Sequence, residues 1–351
     1  MLESNPTLNA LASFLPDPEE LLRVIRRVHI IPAFSVKLTI ARNQDPWLYD
    51  HLIKVTIAAV WLGMQLKLKK NKLINLATAA LFHDLGELHF DSKYRDHSYR
   101  LTLEDKIKLS SHPLVMKLIL DELPEYHPSV GKAILDHHER LDGTGYPQGK
   151  SAKKIHEYGR ILATSELAVI LMEKRGPRYS MVQLITALKL NVGKYGSDLL
   201  NHFIQLNRNM EQGNEPEPAD SDKLIEELIR LRDHLFSWID HSGRAQELAE
   251  AKSEATSFVD QRLSEIQRNF VRAGIMAGDL REFVDAIEEE PEVGAELRSM
   301  CSEFRVSMHE IYNEVGRRWP TEFNGQAKSD GSLTQQWICD YKLKFLSEKN
   351  I

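Results

Sequence analysis

Residues 73–87 read LINLATAALFHDLGE, and residues 133–147 read AILDHHERLDGTGYP. In each, apolar residues at helical spacing run into two adjacent potential ligands, His83 with Asp84 and His137 with His138, and a glycine-bearing turn follows. Helices as apolar as these are buried, so their ends carry ionisable pairs into an interior where each needs a partner. The helical period continues outward: Leu52, Val55, Ala59 and Leu62, then residues 103–120, then 130–138. No alternating pattern with hairpin turns interrupts it, and the fold expected is all-α.

Upstream, residues 17–42 open with Asp17 as a candidate N-cap, Pro18 at the first helical position and Glu19 and Glu20 in the first turn, all favourable to a helix start. The first 45 residues therefore read as a helical preface. Downstream, residues 211–222, EQGNEPEPADSD, hold two prolines and five acids with no large apolar side chain, the composition of a linker. Beyond it Leu224, Leu228, Leu231, Leu235 and Trp238 form an apolar seam, and Val259, Leu263, Ile266 and Phe270 repeat its spacing. Two such helices make an internal hairpin or a contact with a second copy, and the hairpin is preferred. The organisation expected is an N-terminal helical extension at 1–49, a histidine-bearing domain at 50–210, an acidic linker at 211–222 and a separate C-terminal helical domain at 223–351.

Any one of the 14 histidines is more often a surface or hydrogen-bonded residue than a ligand. Placement changes that reading: His51 and His112, the latter in SSHPL, add two imidazoles to the paired residues at 83–84 and 137–138. Imidazole and carboxylate together suit borderline divalent metals, and six or seven ligands are enough for a binuclear site.

The segment from Asp50 to about Leu206 resembles the HD-GYP family, a branch of the HD phosphohydrolases whose best-known activity is hydrolysis of cyclic di-GMP. The resemblance rests on His51, HDLG at 83–86, HP at 112–113, HHERLDGTGYP at 137–147 and RILATSE at 160–166, in that order. It implies an HD-type helical bundle with metal ligands at His51, His83, Asp84, His112, His137 and His138, Asp84 bridging two ions. Glu166 stands where the family has an aspartate, and is the seventh ligand expected. Some members hold a third metal through a glutamate one turn before the first histidine; Trp47 occupies that place, so two ions are expected, iron or manganese. The family's phosphate-contacting lysine in HD-x-G-K is replaced by Glu87. Such a reversal turns an attraction into a repulsion of up to roughly 4 kcal/mol at about 4 Å and an effective dielectric near 20, unless Glu87 answers a nearby arginine or acts catalytically as a proton donor or acceptor. Gly145 and Tyr146 of the GYP loop, and Arg175 and Arg178 in RGPR, are the substrate contacts implied; without the resemblance, the two arginines read equally well as surface residues.

The activity implied is that of a phosphodiesterase in which a metal-activated hydroxide attacks cyclic di-GMP in line, giving linear pGpG and GMP after a second cut. The alternatives are a degenerate sensor or protein-interaction module without turnover, and a phosphohydrolase for another nucleotide. A regulatory protein or a second copy, docked through the C-terminal helices, is the further partner considered. Residues 1–210 hold 28 Lys and Arg against 22 Asp and Glu, while residues 211–351 hold 17 against 29. The modest positive balance suits an anionic substrate but not a nucleic-acid duplex, and an ordinary solvated surface explains it equally well. Two cysteines outside any C-x-x-C pattern, no basic leader and no run of 18 apolar residues give a cytoplasmic expectation without membrane contact.

Overall fold

A computed structural model describes residues 18–95, 99, 101–173, 181–208, 220–247, 253–272, 290–324 and 332–346. The regular elements of the described residues are all helices; their one β-type feature is an isolated antiparallel bridge between Asp142 and Ser151. The chain divides into two compact units, residues 1–214 and 215–351. No helix among the described residues is long and apolar enough to cross a membrane.

In the first unit the preface is two helices, α1 (Pro18–Ile25) and α2 (Pro32–Gln44). The break falls before Pro32, which opens α2 because a proline inside a helix lacks the N–H and collides with the preceding turn. Tyr126 secures the break, its hydroxyl donating to His29 O and accepting from Ile31 N. Leu21, Val24, Phe34 and Ala41 enter the common core, so both helices pack with the histidine-bearing helices.

Helix α3 (Pro46–Gln65) is capped by Asp45, whose side chain accepts from Leu48 N. Apolar residues surround its axis and it is buried on nearly every side, as a central helix must be. It packs against α2, α4 (Lys70–Phe82) and α8 (Glu157–Glu173). Phe34 of α2 stacks on Phe82 at 4.3 Å between ring centroids, fixing the end of α4. The expected helix over 103–120 is two, α5 (Leu103–Leu109) and α6 (His112–Asp121). Pro113 lies in the first turn of α6 and requires that interruption. Helices α7 (Pro128–Asp136), α9 (Met181–Leu190), α10 (Val192–Tyr195) and α11 (Ser197–Arg208) complete the unit.

In the second unit α12 (Ser221–Glu247) and α13 (Glu254–Arg272) bury the first seam and, of the second, Val259, Leu263 and Ile266, with Leu228, Leu231, Leu235 and Val259 fully enclosed; the Phe270 side chain lies outside the described residues. Each packs more extensively on α14 (Pro291–Arg318) than on the other. The arrangement is therefore a bundle closed by α14 instead of a simple hairpin. Short α15 (Pro320–Asn324) and α16 (Leu333–Tyr341) finish it. The linker reading at 211–222 falls outside the described residues except for 220–222.

Candidate metal centre

Five elements of the first unit deliver the candidate ligands. His51 lies in the second turn of α3, since the Asp45 cap and Pro46 start that helix earlier than position 50. His83 and Asp84 follow the last residue of α4, and His112 opens α6 directly after the break that Pro113 enforces. His137 and His138 follow the end of α7, and Glu166 sits midway along α8. Lys54, one turn beyond His51, bonds Glu173 at 2.5 Å and ties α3 to α8.

These side chains converge on Asp84. His83 Nε2 lies 3.0 Å from Asp84 Oδ2 and His51 Nε2 3.7 Å, while His112 Nε2 and His137 Nε2 lie 3.0 and 3.4 Å from Oδ1. Glu166 Oε2 is 4.0 Å from His138 Nδ1. Two groups capable of holding a metal result: Asp84 with His112, His137 and His138, and Asp84 with His51, His83 and Glu166, the donor atoms of each lying within 4.8 Å of one another. Asp84 belongs to both.

The residues fit a cation on chemical grounds. Nδ1 of His83, His112 and His137 lies 2.7, 2.8 and 2.6 Å from the carbonyls of Ala80, Leu109 and Ile134. A carbonyl only accepts, so each Nδ1 carries the proton, and in the neutral ring Nε2 keeps the lone pair. Those lone pairs face a carboxylate, and Nε2 of His112 and His137 face each other at 3.5 Å. Lone pairs so opposed call for protons or a metal between them. Glu166 Oε2 and His51 Nδ1 are moreover buried without a hydrogen-bond partner.

The ionisation pattern agrees. Burial alone would raise Asp84, yet the His83 charge and the close approach of the His112, His137 and His83 imidazoles hold its carboxyl well below the usual range. Burial opposes protonation of His83, but the Asp84 charge prevails and pushes it up to about 9. Burial, then His83, brings His51 down to about 4. Burial likewise brings His137 down to about 4, and burial with the neighbouring His137 charge depresses His138 further. Burial and the charge of Asp84 push Glu166 up to about 7.

Around this cluster the GYP loop is stapled in place. Tyr146 N donates to His138 O at 3.1 Å, and the Tyr146 ring stacks on His138 at 4.5 Å. Glu139 accepts backbone N–H groups from Gln148 and Lys150, each at 2.7 Å. Asp136 accepts from Lys150 Nζ and His156 N. A Cβ on Gly145 would meet His138 O at 2.3 Å, and one on Gly86 would meet His112 O at 2.4 Å, so both glycines let ligand-bearing backbone approach closely. Glu139 and Asp136 were missed as site residues in the sequence, although their place beside the histidine pair marked them as buried acids.

Glu87 is partly buried three residues beyond Asp84, and burial together with the Asp84 charge pushes its carboxyl up to about 7. Arg95 lies nearby but donates to the Glu87 backbone O at 2.8 Å and forms its ion pair with Asp45 at 3.3 Å; its charge only weakly opposes the upward shift of the Glu87 carboxyl. Trp47, where a third-metal glutamate would stand, stacks on His51 with ring centroids 5.3 Å apart and planes within 7°. Arg175 and Arg178 lie outside the described residues.

The HD domain family matches residues 36–199. The chain is also similar to the cyclic di-GMP phosphodiesterase PdeB of Borreliella burgdorferi, 28% identical over 174 residues, covering 45% of this chain and 46% of that protein. A 3'3'-cGAMP-specific phosphodiesterase 3 of Vibrio cholerae is 29% identical over 152 residues, covering 43% and 32%. The cyclic di-GMP phosphodiesterase response regulator RpfG of Xanthomonas campestris is 30% identical over 112 residues, covering 32% and 30%. The matched part thus spans less than half the length of each of these relatives. Residues 36–199 thus form an HD domain similar to those of the phosphodiesterases named above.

Proposed function

We propose that this protein is a metal-dependent phosphodiesterase that opens cyclic di-GMP to linear pGpG, with GMP after a second cut. The observation that carries the reading is the convergence of six imidazole and carboxylate side chains from five elements on one shared aspartate. His112, His137 and His138 would hold one ion, His51, His83 and Glu166 the other, with Asp84 between them. Iron or manganese suits this mixture of nitrogen and oxygen donors. Bound there, two divalent ions would supply a lowered water pKa and neutralise charge on the phosphate oxygens.

The chain's own residues do the remaining work. The Nδ1–H bonds to backbone fix the orientation of His83, His112 and His137. Tyr146, held over His138 by the Glu139 staple, walls one side of the reaction space, with Gly145 allowing its approach. Glu87 is the proton-handling group proposed, and Arg175 and Arg178 are the phosphate contacts. The named activities of the Vibrio cholerae relatives make 3'3'-cGAMP the second substrate to test.

Anaerobic purification with metal quantification, followed by product analysis on cyclic di-GMP, 3'3'-cGAMP and simple nucleotides, tests the proposal. Two ions per chain and release of pGpG are expected, with both lost in His83→Ala combined with Asp84→Ala. Cyclic di-GMP binding without turnover or stoichiometric metal would make the domain a sensor instead.

A further inference from the structure

A backbone carbonyl orients each of the His83, His112 and His137 rings, but among the described residues none holds the ring of His138. Its direction is set by the Tyr146 ring stacked on it and by its own backbone. That backbone is held from two sides. Tyr146 N donates to His138 O at 3.1 Å, while Arg140 Nη1 donates to His137 O at 3.0 Å and to Glu139 O at 3.1 Å. His137 O belongs to the peptide that joins the two candidate ligands, and because a peptide is planar, fixing that oxygen fixes the point from which the His138 side chain departs. The Arg140 guanidinium is in turn seated over the ring of Tyr195 in α10, 4.5 Å from its centroid. Tyr195 is buried in the common core, and Leu141 N donates to Lys194 O at 2.9 Å beside it. A planar guanidinium can stack on an aromatic face while donating to carbonyls, so α10, which supplies no candidate ligand, is tied to the histidine pair.

We propose that Arg140 is a positioning residue: it sets the peptide between His137 and His138, and with it the direction of the His138 imidazole toward the ion that Asp84, His112 and His137 would share with it. The proposal rests on the metal-centre reading above. Charge alone predicts the opposite sign for removing Arg140, because a positive charge beside a cation site repels the cation.

The test is titration of manganese(II) into metal-free, full-length protein, with the free ion followed by electron paramagnetic resonance. Wild type should show two sites. Arg140→Met should weaken one of them roughly tenfold to a hundredfold, the usual cost of losing a group that orients a ligand, and affect the other much less. His138→Ala should weaken the same site, and adding Arg140→Met to it should cost nothing further, since a residue that acts through His138 has nothing left to position. Tyr195→Leu removes the seat and should weaken that site in the same direction, whereas Tyr195→Phe keeps the ring and should match wild type. Unchanged or tighter binding in Arg140→Met, an equal loss at both sites, or losses that add in the double variant would overturn the proposal. Should Arg140→Met fail to fold by circular dichroism, the tyrosine pair decides, and equal affinities in Tyr195→Leu and Tyr195→Phe would overturn it. Wild type that binds fewer than two manganese ions would overturn the two-metal reading and this proposal together, whereas two sites unaltered by Arg140→Met would overturn this proposal alone.

Discussion

Three imidazoles of the cluster set their tautomer by one device, an Nδ1–H bond to the carbonyl three residues earlier. The bond is available because each histidine lies at a helix end or a tight turn, where the last carbonyls lack a regular helical partner; Ile134 O accepts also from His137 N at 3.4 Å. Protons compete with metal for the same donors, and the raised groups set the sign. Glu166 at about 7 and His83 at about 9 hold protons that must leave before a cation enters. Metal affinity is therefore expected to fall as pH drops from about 8 to about 6, with proton release on binding at the lower pH. Calorimetry in buffers of different ionisation enthalpy reads both; pH-independent affinity would show that neither the His83 nor the Glu166 proton is displaced. A second expectation concerns Glu87. If its charge opposes the substrate phosphate, Glu87→Gln should lower the KM for cyclic di-GMP by up to about tenfold, and an unchanged or higher KM would show that it does not.

At the scale of elements, breaks matter as much as helices. The stop at Phe82, the interruption before Pro113 and the end of α7 each turn a ligand inward. The apolar runs, the paired candidate ligands and their order were legible in the sequence because they are local. The start of α3 was less so, because its Asp45–Pro46 signal is short and lies upstream of the segment that carries the resemblance. The division of residues 103–120 could have been read from Pro113. The grip of Glu139 on Gln148 and Lys150 was not legible, because nothing local encodes which backbone groups a buried acid will meet. Gly145→Ala tests how rigid this loop is. Its Cβ would press on the backbone of His138, Glu139 and Arg140, and overpacking against backbone costs about 1–3 kcal/mol. A lower thermal midpoint with diminished metal content is expected. Gly193→Ala is the control, since its Cβ meets nothing within 4 Å and a helical position favours alanine; it should be neutral or stabilising. Equal behaviour of the two variants would refute the close-approach argument.

For the molecule as a whole, the candidate ligands and the core from Leu21 to Leu206 all lie in the first unit. Residues 1–214 alone are accordingly expected to unfold cooperatively and retain the metal content of the full chain, as followed by circular dichroism and metal analysis. Failure of that piece to hold metal would show that the second unit completes the centre. Its closed bundle was only partly anticipated: the seams were visible, but the role of α14 as their common partner depends on contacts between distant segments. Asp84, finally, serves both metal-holding groups. Two cations drawn to that common carboxylate would not load independently: the first arrival would alter the charge its successor encounters, and thermodynamic reciprocity would make that influence equal in either order. Half-filled protein would then be a distinct species, its abundance set by how scarce the ion is.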